Sequence, residues 1–261
     1  MSISQLRSEA SGVLRQAEVS PYRITLLYLL IINAVAVCFN LIVLWWGYRV
    51  DEIEGGLDAV RSAARYDTFA MTGSLLLGLF SRYMDGSYTA YPLELFRDAK
   101  ADHRSLLNAL RQFGRVLTLA LLVSLFTALW MTLFIIPGIV AMYRYRFAFQ
   151  LLFDNPDISP FLALELSKRM TYGHKLELFQ LDLSFFYFYL LEALGLSLVN
   201  RTLLLQLPPQ PMQTEMLYYL AGVLVGLAAQ ALFLPHLRAS QTAAYLQVKA
   251  QMEGENSSVS F

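Results

Sequence analysis

Six ionisable residues stand within or beside long apolar stretches of this chain: Arg82, Asp85, Arg144, Arg146, Asp182 and Glu192. A charge held in a lipid environment is costly, so residues of this kind pair with one another or line a wet cavity. Two chemistries follow. The charges can be buried partners that fix helix packing, or they can form a polar pathway for a small solute or an ion. A second group, Lys168, Arg169, His174 and Lys175, lies at the end of a predicted surface helix and is suited to meeting lipid phosphates. His174 and Lys175 fit equally the plain role of cations at the negative end of a helix dipole. Catalysis finds no support, because no metalloprotease, nucleophile-elbow, phosphate-loop or dinucleotide fingerprint occurs and no Ser, Lys or Cys has an evident neighbouring base. The expectation is a protein with no catalytic residue, metal site or cofactor.

The composition says where such charges have to live. Of 261 residues 56% are hydrophobic and only 15% charged, with a mean hydropathy of +0.46, whereas soluble domains carry about 25% charged residues. That is the balance of a membrane protein. The 20 Lys and Arg cancel the 20 Asp and Glu, so no basic field exists to hold nucleic acid. Cys38 is the single cysteine, and His103, His174 and His236 lack zinc-type spacing. Disulfide scaffolds and common structural zinc sites are excluded.

Six segments are expected to span, near residues 24–46, 68–92, 116–136, 139–153, 176–199 and 215–236. The first is uncharged, long enough for the roughly 30 Å hydrocarbon layer, and ends in the interfacial anchor Trp45-Trp46-Gly47-Tyr48. The second carries Arg82 and Asp85, and the fourth is short. Charge counting decides whether the chain turns back at Pro137-Gly138 or runs on through one kinked helix, since cytoplasmic loops are rich in Lys and Arg. With a turn, thirteen flanking Lys and Arg fall inside and four outside; without it the split is nine to eight. The turn is favoured, with both termini cytoplasmic, and a kink is the alternative.

Straight spans would put Glu192, Arg144 and Arg146 in the outer half of the bilayer and Arg82, Asp85 and Asp182 in the inner half. Arg144 or Arg146 should then approach Glu192. Asp182 should find Arg82, unless Asp85 has taken it at helical spacing. Gly222 and Gly226 form a GxxxG step for close helix approach, within the chain or against a second copy. The LSFFYFYLLE run reads as a core or lipid-facing surface rather than a ligand cage.

Between the spans, residues 2–18 and 160–172 have the pattern of amphipathic surface helices, the latter with Ser159 as cap, Pro160 at the first position and Gly173 as stop. Residues 98–113 are a third candidate, so a surface helix followed by two spans recurs in the manner of a triplication. The loop 51–67 is acidic and suits a helix, Pro208-Pro209-Gln210-Pro211 reads as a stiff connector, and residues 254–261 as a disordered tail. The rest, 1–253, reads as a single integral-membrane domain. The fold class is all-α, a polytopic transmembrane bundle of about six spans with cytoplasmic amphipathic surface helices.

The stretches LRSEASGVLR, LWMTLFIIPGIVAMYRYRFA, DNPDIS, LSKRM, GHKLELFQLDLSF and LPHLRASQTAAYL, in this order, resemble a family of uncharacterised bacterial integral-membrane proteins. Those proteins carry an IIPGI motif, a DNPDIS-type turn and a GHK-to-DLSF stretch; the likeness is strongest from Leu129 to Phe186. It implies a multi-pass protein of the bacterial cytoplasmic membrane. The family has no assigned activity, and so lends no catalytic residue. The expected role is non-catalytic, with membrane lipids as partners and other membrane proteins or a second copy as further ones. A small-solute or ion transporter, or a channel subunit, using the intramembrane charges is the alternative.

Overall fold

The computed structural model describes residues 2–51, 56–98, 101, 104, 107, 111–200 and 212–259. No strand occurs among the described residues, and the protein is all-α. The helices are α1 (Ile3–Gln16), α2 (Pro21–Asp51), α3 (Leu57–Tyr88), α4 (Ala90–Arg97), α5 (Phe113–Leu133), α6 (Ile135–Arg144), α7 (Ala148–Asp154), α8 (Pro160–Met170), α9 (Lys175–Leu183), α10 (Phe186–Asn200) and α11 (Met212–Val259). The chain divides into two compact units.

Leu26–Ser81 and Tyr187–Leu232 make one unit. Its first part is an antiparallel pair, α2 against α3, in which the Trp46 ring lies 5.0 Å from Phe69 and Phe39 lies 5.8 Å from Phe69. Outward from α2 point Leu30, Val35, Ile42 and Trp45, an apolar face about half exposed among the described residues. In the second part α10 meets α11, and a Cβ on Gly222 would come within 2.6 Å of the Gly195 carbonyl oxygen. Only glycine allows that approach.

The other unit holds the chain up to Thr25, Arg82–Phe186 and the chain from Phe233. Here α1 buries Leu6, Ala10 and Leu14, one stripe at i, i+4, i+8, and packs on α4 and α9. That apolar face is used up inside the protein. A core of Tyr88, Tyr91, Phe147, Leu152 and Tyr245 lies beneath it.

The turn expected at Pro137-Gly138 is made one helical turn earlier. Phe134 is extended, at φ −158° and ψ 147°, and breaks α5 from α6. The chain reverses there, because the Phe126 and Tyr145 rings come within 6.2 Å although a continuous helix would hold residues that far apart in sequence about 28 Å from each other. Pro137 then occupies the first turn of α6, where its missing N–H removes one of the donors a helix start leaves unpaired.

Several span boundaries are corrected as well. Three described helices, α2, α5 and α11, are long and apolar enough to cross a membrane, or four if α9 and α10 count together across their break, not six. The segment 68–92 belongs to α3 and α4, and its charges keep α3 below the apolarity of the others. What was expected as one span at 139–153 is α6, a turn at Tyr145–Phe147 and α7. Residues 176–199 are interrupted at Ser184 and Phe185, so depths reckoned along a straight helix do not apply to Asp182 and Glu192. α11 runs past 236, with Pro235 inside it, and continues as helix from Gly254 to Val259 where a disordered tail was expected. The loop 51–67 is helical from Leu57. A helix does occupy most of 160–172, as α8, and the Ser159 hydroxyl accepts the Leu162 N–H at 3.2 Å as its cap. Most of the 98–113 candidate, the connector at 208–211 and His103 lie outside the described residues.

Candidate functional site

The centre of the polar architecture is Asp182, near the end of α9, with its side chain 10% exposed. Its carboxylate accepts from Arg146 Nη2 at 2.6 and 2.7 Å, from Tyr143 Oη at 3.1 Å and from Gln241 Nε2 at 3.2 Å. A buried carboxylate needs a matched cation and filled lone pairs to offset desolvation. Asp182 has both. The turn between α6 and α7 supplies Arg146, and the far part of α11 supplies Gln241.

Gln241 does more than fill a lone pair. Its carbonyl oxygen accepts from Arg238 Nη1 at 3.2 Å, and Arg238 Nη2 donates to Asp85 on α3. Asp85 also has Arg82 at 3.8 Å, three residues earlier on the same helix. Four of the six expected residues, two of them bridged by Arg238 and Gln241, form one chain of contacts: Arg82, Asp85, Arg238, Gln241, Asp182, Arg146. Its three Arg and two Asp alternate in sign along the chain and leave a net charge of +1.

Two of the expected partners are elsewhere. Arg146 is held by Asp182 and not by Glu192, because the break after Leu183 ends the straight helix on which the depth estimate relied. Glu192, on α10, is hydrogen-bonded to Gln230 on α11, and its Oε1 is shielded from solvent with no hydrogen-bond partner. Arg144 leaves the intramembrane group altogether. It lines a cavity with Lys168, Arg169, Tyr172 and Lys175, so three of the four residues assigned to the membrane surface, Lys168, Arg169 and Lys175, share space with it. His174 instead holds Glu177 at 2.9 Å.

Sequence reasoning missed Arg238, Gln241, Tyr245 and Lys249 because it ended the last span at residue 236. Their spacing was the available signal: i, i+3, i+7 and i+11 lie along one helix face. Tyr245 and Lys249 both donate to Asp154, as does Arg97, and the Asp154 side chain is 2% exposed. His236 accepts or donates at 3.0 Å with the Tyr22 hydroxyl, which gives the polar residue after Pro235 a partner. Gly222 and Gly226 do meet a neighbouring helix, with Gly195 of the same chain as the contact. No group of three or more His, Cys, Asp or Glu among the described residues is placed to hold a metal ion.

Residues 133–223 match a protein family described as "Protein of unknown function (DUF975)". The match covers about a third of the chain, from the α5–α6 turn to the first part of α11. No curated protein and no solved structure matches the chain.

Proposed function

We propose that this chain is a non-catalytic integral protein of the bacterial cytoplasmic membrane that engages lipid through a hairpin dipping into the bilayer from the cytoplasmic side. The observation that carries this reading is the α5–α6 tip: Phe134, Ile135 and Ile136 are 72%, 76% and 75% exposed, with Leu129, Leu133, Ile139 and Val140 exposed beside them. A contiguous apolar patch of this kind is costly in water. α6 has 10 residues, so its arm reaches about 15 Å, half the hydrocarbon layer. Pairing within the tip supports immersion, since Phe134 N–H reaches the Trp130 carbonyl and Gly138 N–H the Phe134 carbonyl, both at 3.1 Å.

In this reading α2, α3, the α9–α10 pair and α11 cross, and the hairpin enters and returns. α3 crosses because it runs back along α2 and, with 32 residues, is about 48 Å long. Both termini are cytoplasmic, and the flanking Lys and Arg keep the split of thirteen inside to four outside. The hairpin replaces two of the six full crossings.

Depth-dependent quenching tests it. With the three native tryptophans replaced by Phe, a single Phe134→Trp should be quenched most by bromines near the methyl ends of the lipid chains. Quenching by aqueous iodide instead would place the tip in water and defeat the reading.

A transporter or channel subunit is the second reading, favoured by Glu192, whose shielded and partnerless Oε1 marks a site that could exchange a proton or bind a cation. In reconstituted liposomes Glu192→Gln would then abolish flux at unchanged thermal stability. Flux in proportion to the amount of folded protein would return Glu192 to a packing role.

A further inference from the structure

Where α6 ends, Arg144, Lys168, Arg169, Tyr172 and Lys175 line a single cavity of about 530 Å³. Four of these five lining residues are cations and none is an acid. Of the nearest carboxylates in sequence, Glu165 neutralises one lining cation, accepting from Arg169 at 2.6 Å, and Glu177 is held by His174 at 2.9 Å. Among the described residues Arg144, Lys168 and Lys175 have no ion-pair partner. Three uncompensated like charges around one cavity repel one another until a counter-anion enters.

This cationic wall is fixed by the backbone and does not depend on flexible side chains alone. The Arg144 carbonyl accepts from Ser167 Oγ at 3.1 Å and from Thr171 Oγ1 at 3.2 Å, and Ser167 Oγ in turn accepts the Phe147 N–H at 3.1 Å. Ser167 on α8 and Thr171, which caps it, are wholly buried, so they tie the last turn of α6 to the helix that carries Lys168 and Arg169. Gly173, at φ +86°, then turns the chain in a conformation that side chains disfavour, and Lys175 opens α9 facing the same cavity. Three elements thus deliver four cations to one place.

We propose that this cavity binds a phosphate group, supplied by the headgroup of an anionic phospholipid. A phosphate monoester, the headgroup of phosphatidic acid, brings close to two negative charges and three acceptor oxygens, which suits the Arg144 guanidinium beside the Lys168 and Lys175 ammonium groups. The Tyr172 hydroxyl offers one further donor. Lipid is the favoured source because Tyr172, Leu176 and Phe179 are exposed apolar side chains beside the cations, placed to meet acyl chains. The proposal rests on the reading that this face lies at the cytoplasmic membrane surface; a free phosphate compound is the other source of the same chemistry.

The test uses the full-length protein in neutral detergent, titrated with dioctanoyl phosphatidic acid, dioctanoyl phosphatidylcholine and inorganic phosphate, with bound ligand counted by native mass spectrometry. Phosphatidic acid should bind well above phosphatidylcholine. Arg144→Gln with Lys168→Gln should weaken it about twenty-five-fold, at roughly fivefold per surface cation, while Arg61→Gln with Arg65→Gln, an equal loss of charge on α3, should leave it unchanged. Lys168 is exposed, so Lys168→Gln alone keeps the test open if the double variant does not fold. Inorganic phosphate binding as tightly as phosphatidic acid supports the site and makes a free phosphate its occupant. Equal binding of the two lipids, or an equal loss in both double variants, overturns it. Alkaline carbonate extraction of cell membranes reads the membrane assignment separately: a chain that stays in the pellet but shows no headgroup preference refutes the cavity and spares the assignment.

Discussion

Gln241 donates its amide N–H to Asp182 at 3.2 Å while its carbonyl oxygen takes the guanidinium of Arg238 at the same distance. An uncharged amide can face an anion with its NH2 end and a cation with its carbonyl oxygen. Gln241→Glu sets a carboxylate against Asp182, and Gln241→Leu merely removes both bonds. Thermal unfolding in detergent should therefore rank wild type above Leu and Leu above Glu. If Glu proves the milder substitution, Gln241 is not the bridge.

Asp182→Asn tests the anion itself. It leaves Arg146 without its counter-charge at a site that is 10% exposed on the Asp182 side, and breaking a buried pair in this way costs about 3–5 kcal/mol. The double variant Asp182→Leu with Arg146→Met should recover most of that loss. A double variant as unstable as the sum of its parts would show that the two residues are not coupled.

Much of this architecture was legible in the residues. Periodicity and cap chemistry located α8 to within a residue or two, since Ser159, Pro160 and Gly173 each act locally. The uncharged runs located α2, α5 and the first half of α11. Pairing was not legible, because it depends on where helices break: Phe134 carries no turn signature, and the interruption at Ser184 and Phe185 lies in a stretch of continuous apolar character. Each break redirected an ionisable side chain. The first brought Arg144 back to Lys168, and the second lies just beyond Asp182, which pairs with Arg146.

Gly222 and Gly226 look alike in sequence and differ in space. A Cβ on Gly222 would meet the Gly195 carbonyl oxygen at 2.6 Å and the Val199 nitrogen at 2.7 Å, whereas one on Gly226 would meet nothing within 4 Å. Gly222→Ala should lower the unfolding temperature by several degrees, the scale of about 1–3 kcal/mol for overpacking, and Gly226→Ala should hardly move it. Equal effects would mean that the contact between α10 and α11 is not this close.

Gly173 makes a different demand. Nothing lies within 4 Å of a Cβ built there, so Gly173→Ala carries only the strain of φ +86°, about 1–2 kcal/mol. Gly173→Asn should cost less, because asparagine tolerates the left-handed region. A stabilised Gly173→Ala, measured by the same unfolding transition, would indicate another backbone conformation at this turn.

The side of the membrane that Lys168 faces decides most directly whether the hairpin and its basic surface belong to the cytoplasmic leaflet. In a Cys38→Ala background, Lys168→Cys should react with a membrane-impermeant maleimide only after the cells are opened, while Asp58→Cys, at an exposed position just after the first crossing, should react in intact cells. Labelling of residue 168 from outside intact cells would contradict the proposed topology and, with it, the placement of the cationic cavity.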